Sequence, residues 1–124
     1  MKALTTPDSI MSLEGLLYLP RFQTKDGNRS VDLRRIVYLS AQVNYTIFHL
    51  EDGESVITSL PLSFYASLLE KYGFLRLHKS SLLNLHYLSQ CHILRFEMLI
   101  LPSGHSIEIA RRRKAKLREM MKSC

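Results

Sequence analysis

At 124 residues the chain fits one domain with room for its own core, and its composition (46% hydrophobic, 23% charged) is globular, which excludes intrinsic disorder. No run of 18 apolar residues is present, so no transmembrane helix is expected, and residues 1–14 have Lys2 as their one positive charge and no continuous apolar stretch, so no signal peptide is expected there. The net charge of +6 is unevenly spread: residues 76–124 hold 10 of the 17 Lys and Arg but 3 of the 11 Asp and Glu, an imbalance that points to a polyanionic partner, nucleic acid ahead of anionic lipid.

Residues 1–15 form a lead-in, because Thr5-Thr6-Pro7-Asp8-Ser9 is a run of turn and cap formers, with one helical turn expected after Asp8. Leu16 to Leu19 is a strand closed by Pro20, continued as an edge by Arg21-Phe22-Gln23-Thr24. Lys25-Asp26-Gly27-Asn28 is a turn, and residues 30–33 return as its partner strand. Ile36 to Leu39 is β-rich, and Ser40 to Asn44 is expected to interrupt it. Tyr45 to Leu50 is the clearest strand of the chain, with Tyr45 and Ile47 expected to anchor the Asn44 loop in the core or against the wall of a groove. The Asp52-Gly53 pair marks a hairpin turn before the strand Ser55 to Thr58.

Leu62, Tyr65, Leu68, Leu69 and Tyr72 recur at helical spacing, with Ser63 as the expected cap and Gly73 where the helix should stop. From Phe74 to Asn84 the apolar residues read as two short buried strands around His78, Lys79 and Ser80, which must then sit at the turn. Residues Tyr87 to His92 and Ile93 to Glu97 are expected as strands, as are Met98 to Leu101 and, by its period of two, His105 to Ile109. Ala110 to Lys122 reads as a basic terminal helix with a thin apolar face of Leu117, Met120 and Met121. The expected fold is mainly β, several small antiparallel sheets with one internal helix and a C-terminal basic helix, divided into an arm and first strand region (1–29) and a main domain (30–124).

The residues exclude some chemistry. The five histidines show no zinc spacing, and the five glycines are scattered singly, so neither a metal site nor a phosphate loop is expected, and no cofactor is implied. Cys91 and Cys124 form no disulfide framework, are expected to stay unbonded, and suit a reducing cytoplasm. Ser80 and Ser81 near His78 invite a hydrolase reading, but no nucleophile elbow accompanies them and the chain is not expected to be an enzyme. Asn44, Lys79 and Arg111 each sit at a break between elements. Asn pairs with adenine and Lys or Arg with guanine in a major groove.

Four segments, in order, carry a resemblance: Ile36-Val37-Tyr38-Leu39 running to Asn44-Tyr45-Thr46; Leu50-Glu51-Asp52-Gly53; Phe74-Leu75-Arg76-Leu77-His78-Lys79-Ser80 running to Asn84; and Ser103-Gly104 running to Ile109-Ala110-Arg111-Arg112. Over about residues 30–120 the chain resembles the LytTR DNA-binding domain of bacterial transcription regulators, the His-Lys-Ser segment with its later Asn being the most diagnostic part. The resemblance implies small antiparallel sheets whose loops, not a recognition helix, enter successive major grooves of double-stranded DNA. By matching position it implies base contacts from Asn44, Lys79 and Arg111, and backbone contacts from His78, Ser80, Arg112 and Arg113; Lys116, further along the basic run, is expected to join them at the phosphates. It implies direct-repeat sites, with a homodimer on DNA as one arrangement.

This chain departs from the pattern at three points. Lys79 stands where the family usually has Arg, which keeps the charge and loses the planar fork. Ala110 replaces a frequent Ser. The family's usual receiver domain has no room in 124 residues, so a switch is expected on a separate histidine kinase or receiver protein, or to be lacking. The alternative function is a protein-interaction module that modulates another LytTR-type regulator through sheet edges and the Leu117, Met120 and Met121 face.

Overall fold

The computed structural model describes residues 11–12, 15–21 and 23–122. The helical turn expected after Asp8, Phe22 of the expected edge strand, and Cys124 lie outside the described residues.

The chain is organised on a five-stranded antiparallel sheet of order β5-β4-β3-β7-β6. Its strands are β3 (Ile36–Gln42), β4 (Tyr45–Leu50), β5 (Ser55–Thr58), β6 (Phe74–His78) and β7 (Ser81–Asn84). Side chains alternate across a strand, so neighbouring residues serve opposite faces. Leu39 and Leu82 join a first core, whereas Tyr38 and Leu83 join a second. Ile36 and Leu39 share a face although three residues apart, which the register shift between Ile36 and Tyr38 permits.

The first core is closed by helix α1 (Leu62–Leu69) and by the hairpin of β1 (Leu16–Leu19) with β2 (Arg29–Asp32). Leu17, Leu19, Val31, Phe48, Tyr65, Leu68 and Leu69 fill it. The Phe48 ring meets Tyr65 edge-on at 4.8 Å between centroids. The second core lies under a three-stranded sheet of order β10-β9-β8 and helix α2 (Lys114–Lys122). The strands of this sheet are β8 (His92–Leu94), β9 (Met98–Ile100) and β10 (Ser106–Glu108). Leu77, Leu99, Ile107, Ile109 and Leu117 fill this core. Three small antiparallel sheets and two helices are thus the fold class expected.

Several local expectations fail for identifiable reasons. Ser40 to Gln42 do not interrupt the strand. They extend β3, because Ser40 Oγ bonds His49 Nε2 across the sheet at 2.7 Å and the Ala41 N–H donates to the Ser80 carbonyl at 2.9 Å. Ser63 does not cap α1: Pro61 holds the N-cap position without a side-chain bond, its fixed φ suiting a helix start. Tyr87 to Gln90 are not strand but part of a 3-10 helix, Leu85–Gln90, because the Asn84 side chain accepts from the His86 N–H at 3.0 Å and caps it. The strand expected over Ile93 to Glu97 stops at Leu94, where Arg95 and Phe96 turn with φ of 54° and 58°. The helix expected from Ala110 begins one residue later: Ala110 is its extended N-cap, Arg111–Arg113 is a 3-10 turn, and Lys114–Lys122 is α-helical.

Candidate nucleic-acid interface

The candidate base-contacting residues come from three separate stretches of sequence, and the sheet brings them to one end. β3 runs into the two-residue turn Val43-Asn44, and β7 runs antiparallel beside it with Ser40 opposite Ser81. The turn that precedes β7, Lys79-Ser80, therefore lies at the same end as Val43-Asn44. The Ala41–Ser80 backbone bond fixes the two together. Arg111 reaches that end by another route. The Ala110 N–H donates to the Leu77 carbonyl at 2.7 Å, which ties the start of the basic helix to the last residues of β6. The order across the end is the Asn44 turn, the Lys79 turn and then Arg111. With strands spaced near 4.8 Å, the first two turns are roughly 10 Å apart, on the scale of a major groove about 12 Å wide.

Asn44, Lys79, Arg111, Arg112 and Lys116 are exposed, and Arg113 is half-buried. Among the described residues, the Asn44 amide has no hydrogen-bond partner, and none of Lys79, Arg111, Arg112, Arg113 or Lys116 is in an ion pair. The opposite end of β4 carries the acidic turn Glu51, Asp52 and Glu54, and there the arginines are neutralised: Arg35 bonds Asp52 and Arg29 bonds Glu54, each at 2.7 Å. The sheet thus has one basic end with uncompensated cations and one acidic end with paired ones. The N-terminus of α2 adds to the field at the basic end. Three arginines occupy the first turn, where the helix dipole disfavours cations, and Ala110 supplies no side-chain cap. A bound anion relieves both terms.

The Lys79 turn is held from inside. Arg76 Nε donates to the His78 carbonyl at 3.1 Å, and Arg76 Nη2 donates to the Lys79 carbonyl at 2.7 Å. Burial first, and the positive charge of Arg113 second, push the Arg76 guanidinium below its ordinary pKa, so the turn, Arg76 and Arg113 form one electropositive cluster. The Ser80 N–H donates to His78 Nδ1 at 3.2 Å, which makes Nδ1 an acceptor, and Ser80 Oγ lies 2.8 Å from the same nitrogen. The neutral ring then carries its proton on Nε2, 3.6 Å from a Glu108 carboxylate oxygen. In outline this is a carboxylate–histidine–serine chain. It is nevertheless a closed local turn: the serine amide and hydroxyl address one ring nitrogen, and the two clefts of about 880 and 490 Å³ among the described residues are lined by other residues.

In the core, the anchor of the Asn44 turn is Thr46 and not Tyr45 or Ile47. Tyr45 is 53% exposed and Ile47 is half-buried, whereas Thr46 is fully buried. Thr46 Oγ1 donates to the Leu60 carbonyl at 2.7 Å, and Thr58 Oγ1 donates to the Thr46 carbonyl at 3.0 Å. The alternation of β4 places Thr46, Phe48 and Leu50 inward, so the aromatic ring at position 45 points out, beside Asn44.

Two residues that matter here, Arg76 and Asn84, were read from sequence only as parts of the family pattern, with no structural role given to either. Arg76 gave no signal beyond a cation inside an apolar run. Asn84 had a further signal: an Asn set among Leu82, Leu83 and Leu85 has to find partners. It is 5% exposed, donates to the Ile36 carbonyl at 2.8 Å and the Leu33 carbonyl at 3.3 Å, and joins β7 to the start of β3.

The model of the LytTr DNA-binding domain family matches residues 26–122.

The chain belongs to the LytTR family of DNA-binding domains. Among solved structures it is similar to the LytTr DNA-binding domain of a protein described as a methyl-accepting/DNA response regulator from Bacillus cereus. The TM-score is 0.68 with 19% identity, covering 86% of this chain and 96% of that one. At that identity the likeness speaks for the fold alone. No curated protein matches the chain significantly. Among the described residues no cluster of His, Cys, Asp and Glu could hold a metal ion, and no helix is long and apolar enough to cross a membrane.

Proposed function

We propose that this LytTR domain binds double-stranded DNA sequence-specifically, with its loops in successive major grooves, as a transcription regulator. The observation that carries this reading is the gathering of Asn44, Lys79 and Arg111 at one basic end of the sheet through the Ala41–Ser80 and Ala110–Leu77 backbone bonds. Base readers are Asn44 in the first loop, Lys79 in the second and Arg111 in the third. Arg112, Arg113 and Lys116 contact phosphates around the α2 N-terminus. In the second loop His78 offers its Nε2–H to the backbone, and Ser80 acts beside it, holding the ring. The DNA-binding unit is residues 30–124, with 1–29 as arm and first strand region. Direct-repeat sites, pairing of two copies on DNA and control by a separate kinase or receiver protein belong to the same reading.

The interaction-module alternative loses one of its surfaces. Leu117 is fully buried and Met120 packs against the second core, which leaves Met121 as the exposed residue of that face.

Affinity at two salt concentrations tests the reading. Three charged phosphate contacts give a slope of log K against log salt of about −3, so affinity for a selected site falls by roughly fortyfold between 50 and 200 mM salt. A protein-only adaptor shows no DNA binding to lose, and that result contradicts the proposal.

A further inference from the structure

Among the described residues other than glycine, Val43, Arg95 and Phe96 have positive φ, and Val43 is the one with a β-branched side chain. Its φ is 51°, in the left-handed region, where a β-branched side chain is an outlier. Asn44 beside it does not share the positive φ. Positive φ at the first central residue of a two-residue hairpin turn, and not at the second, is the sign pattern of a type II′ turn, whose first position ordinarily takes glycine. Strain of this kind persists where surrounding packing over-determines it. Phe96, with φ of 58°, meets that condition: its ring packs against the second core and lies under the Arg118 guanidinium at 4.5 Å. Val43 does not, being 95% exposed. An isopropyl group is therefore held in the costliest backbone position of the turn and packs on nothing within the chain.

Its place says what it can pack on. Val43 is at the tip of the first loop, adjacent to Asn44, at the basic end of the sheet. The apolar feature that a major groove presents at base edges is the C5-methyl of thymine, and small apolar side chains recognise it by contact. We infer that Val43 is a specificity-determining residue that packs against a thymine methyl next to the base pair read by Asn44. This rests on the proposed entry of the first loop into the major groove. Asn44 then supplies hydrogen bonds and Val43 supplies methyl recognition, two independent terms from one two-residue turn.

Replacing thymine by uracil removes that methyl and leaves every hydrogen-bonding edge in place. The experiment scans uracil through each thymine of a site selected by the purified domain from random DNA, with the native protein, Val43→Gly and Asn44→Ala. Burying one methyl corresponds to about a fourfold change in affinity. The native protein should lose about that factor at one thymine, and Val43→Gly should show no uracil penalty there. Val43→Gly should also melt at the same or a higher temperature, because glycine adopts the turn freely, so lost discrimination cannot be put down to misfolding. No uracil penalty at any thymine, or a penalty that persists in Val43→Gly, overturns the inference while leaving loop entry intact if Asn44→Ala still weakens specific binding. If Asn44→Ala has no effect on specific binding, loop entry fails and the role of Val43 fails with it.

Discussion

Removing the Arg76 guanidinium should loosen the second loop without removing a phosphate contact. Arg76→Met keeps an unbranched apolar stem along β6 and deletes the donors to the His78 and Lys79 carbonyls, at 3.1 and 2.7 Å. Hydrogen bonds from a charged donor are worth about 1.5–3 kcal/mol each when shielded. One of these is only part-buried and the other exposed, so together they contribute about 1–2 kcal/mol. For a domain of this size that is a fall in Tm of roughly 4–8 °C. The turn that presents Lys79 would then sample other conformations, and specific affinity should fall with it. Because both donors point at carbonyls of their own loop, the salt dependence of binding should not change. Thermal melting, followed by DNA titration at 50 and 200 mM salt, measures all three quantities. An unchanged Tm with unchanged specific affinity refutes the bracing role. A salt slope shallower by about one makes Arg76 a phosphate ligand instead.

Arg111→Ala should cost about 1–3 kcal/mol of specific binding and relax preference at one base pair, whereas Arg113→Ala and Lys116→Ala should weaken binding evenly across sequences; site selection with each variant distinguishes them. His49 is stacked on Tyr38 at 4.1 Å, and burial first, then the neighbouring His105, hold its pKa down to about 4. The unfolded chain, near the ordinary 6.5, binds a proton that the folded chain does not, so stability should fall as pH drops from about 6.5 to about 4 and level off below. Tm measured across that window should lose this component in His49→Gln, and an identical profile in the variant contradicts the assignment.

What was legible in the sequence follows from periodicity and turn chemistry. Tyr45 to Leu50 and the Asp52-Gly53 turn are found where β-propensity and the hairpin signal place them. The helix from Leu62 runs to Leu69 and tightens into a 3-10 turn, Glu70–Tyr72, that stops at Gly73, whose φ of 90° is the left-handed conformation glycine supplies. The errors arise where a tertiary bond overrides local preference. Ser40 to Gln42 are small and polar, yet cross-strand bonds hold them in β3. Tyr87 and its neighbours have strand composition, yet the Asn84 cap turns them into a 3-10 helix. Tyr45 and Ile47 look like anchors because they are large, but the parity of β4 is set by Phe48 and Leu50, which leaves Thr46 inside. The candidate site residues were legible as breaks between elements, and through the family pattern around His78-Lys79-Ser80. Their convergence was not, since it depends on the pairing of β3 with β7 and of Ala110 with Leu77, contacts between residues far apart in sequence.

The central claim is that the loops read bases and do not merely attract phosphates, and Asn44→Ala tests it most directly. The substitution leaves net charge untouched, and the Asn44 amide has no partner among the described residues whose loss would destabilise the turn. Affinity for a selected site and for unrelated DNA, measured on the native protein and on Asn44→Ala, yields one ratio. We predict that specific affinity falls by about 1–3 kcal/mol while non-specific affinity, salt slope and Tm stay as they were. An unchanged ratio of specific to non-specific affinity contradicts base reading by the first loop.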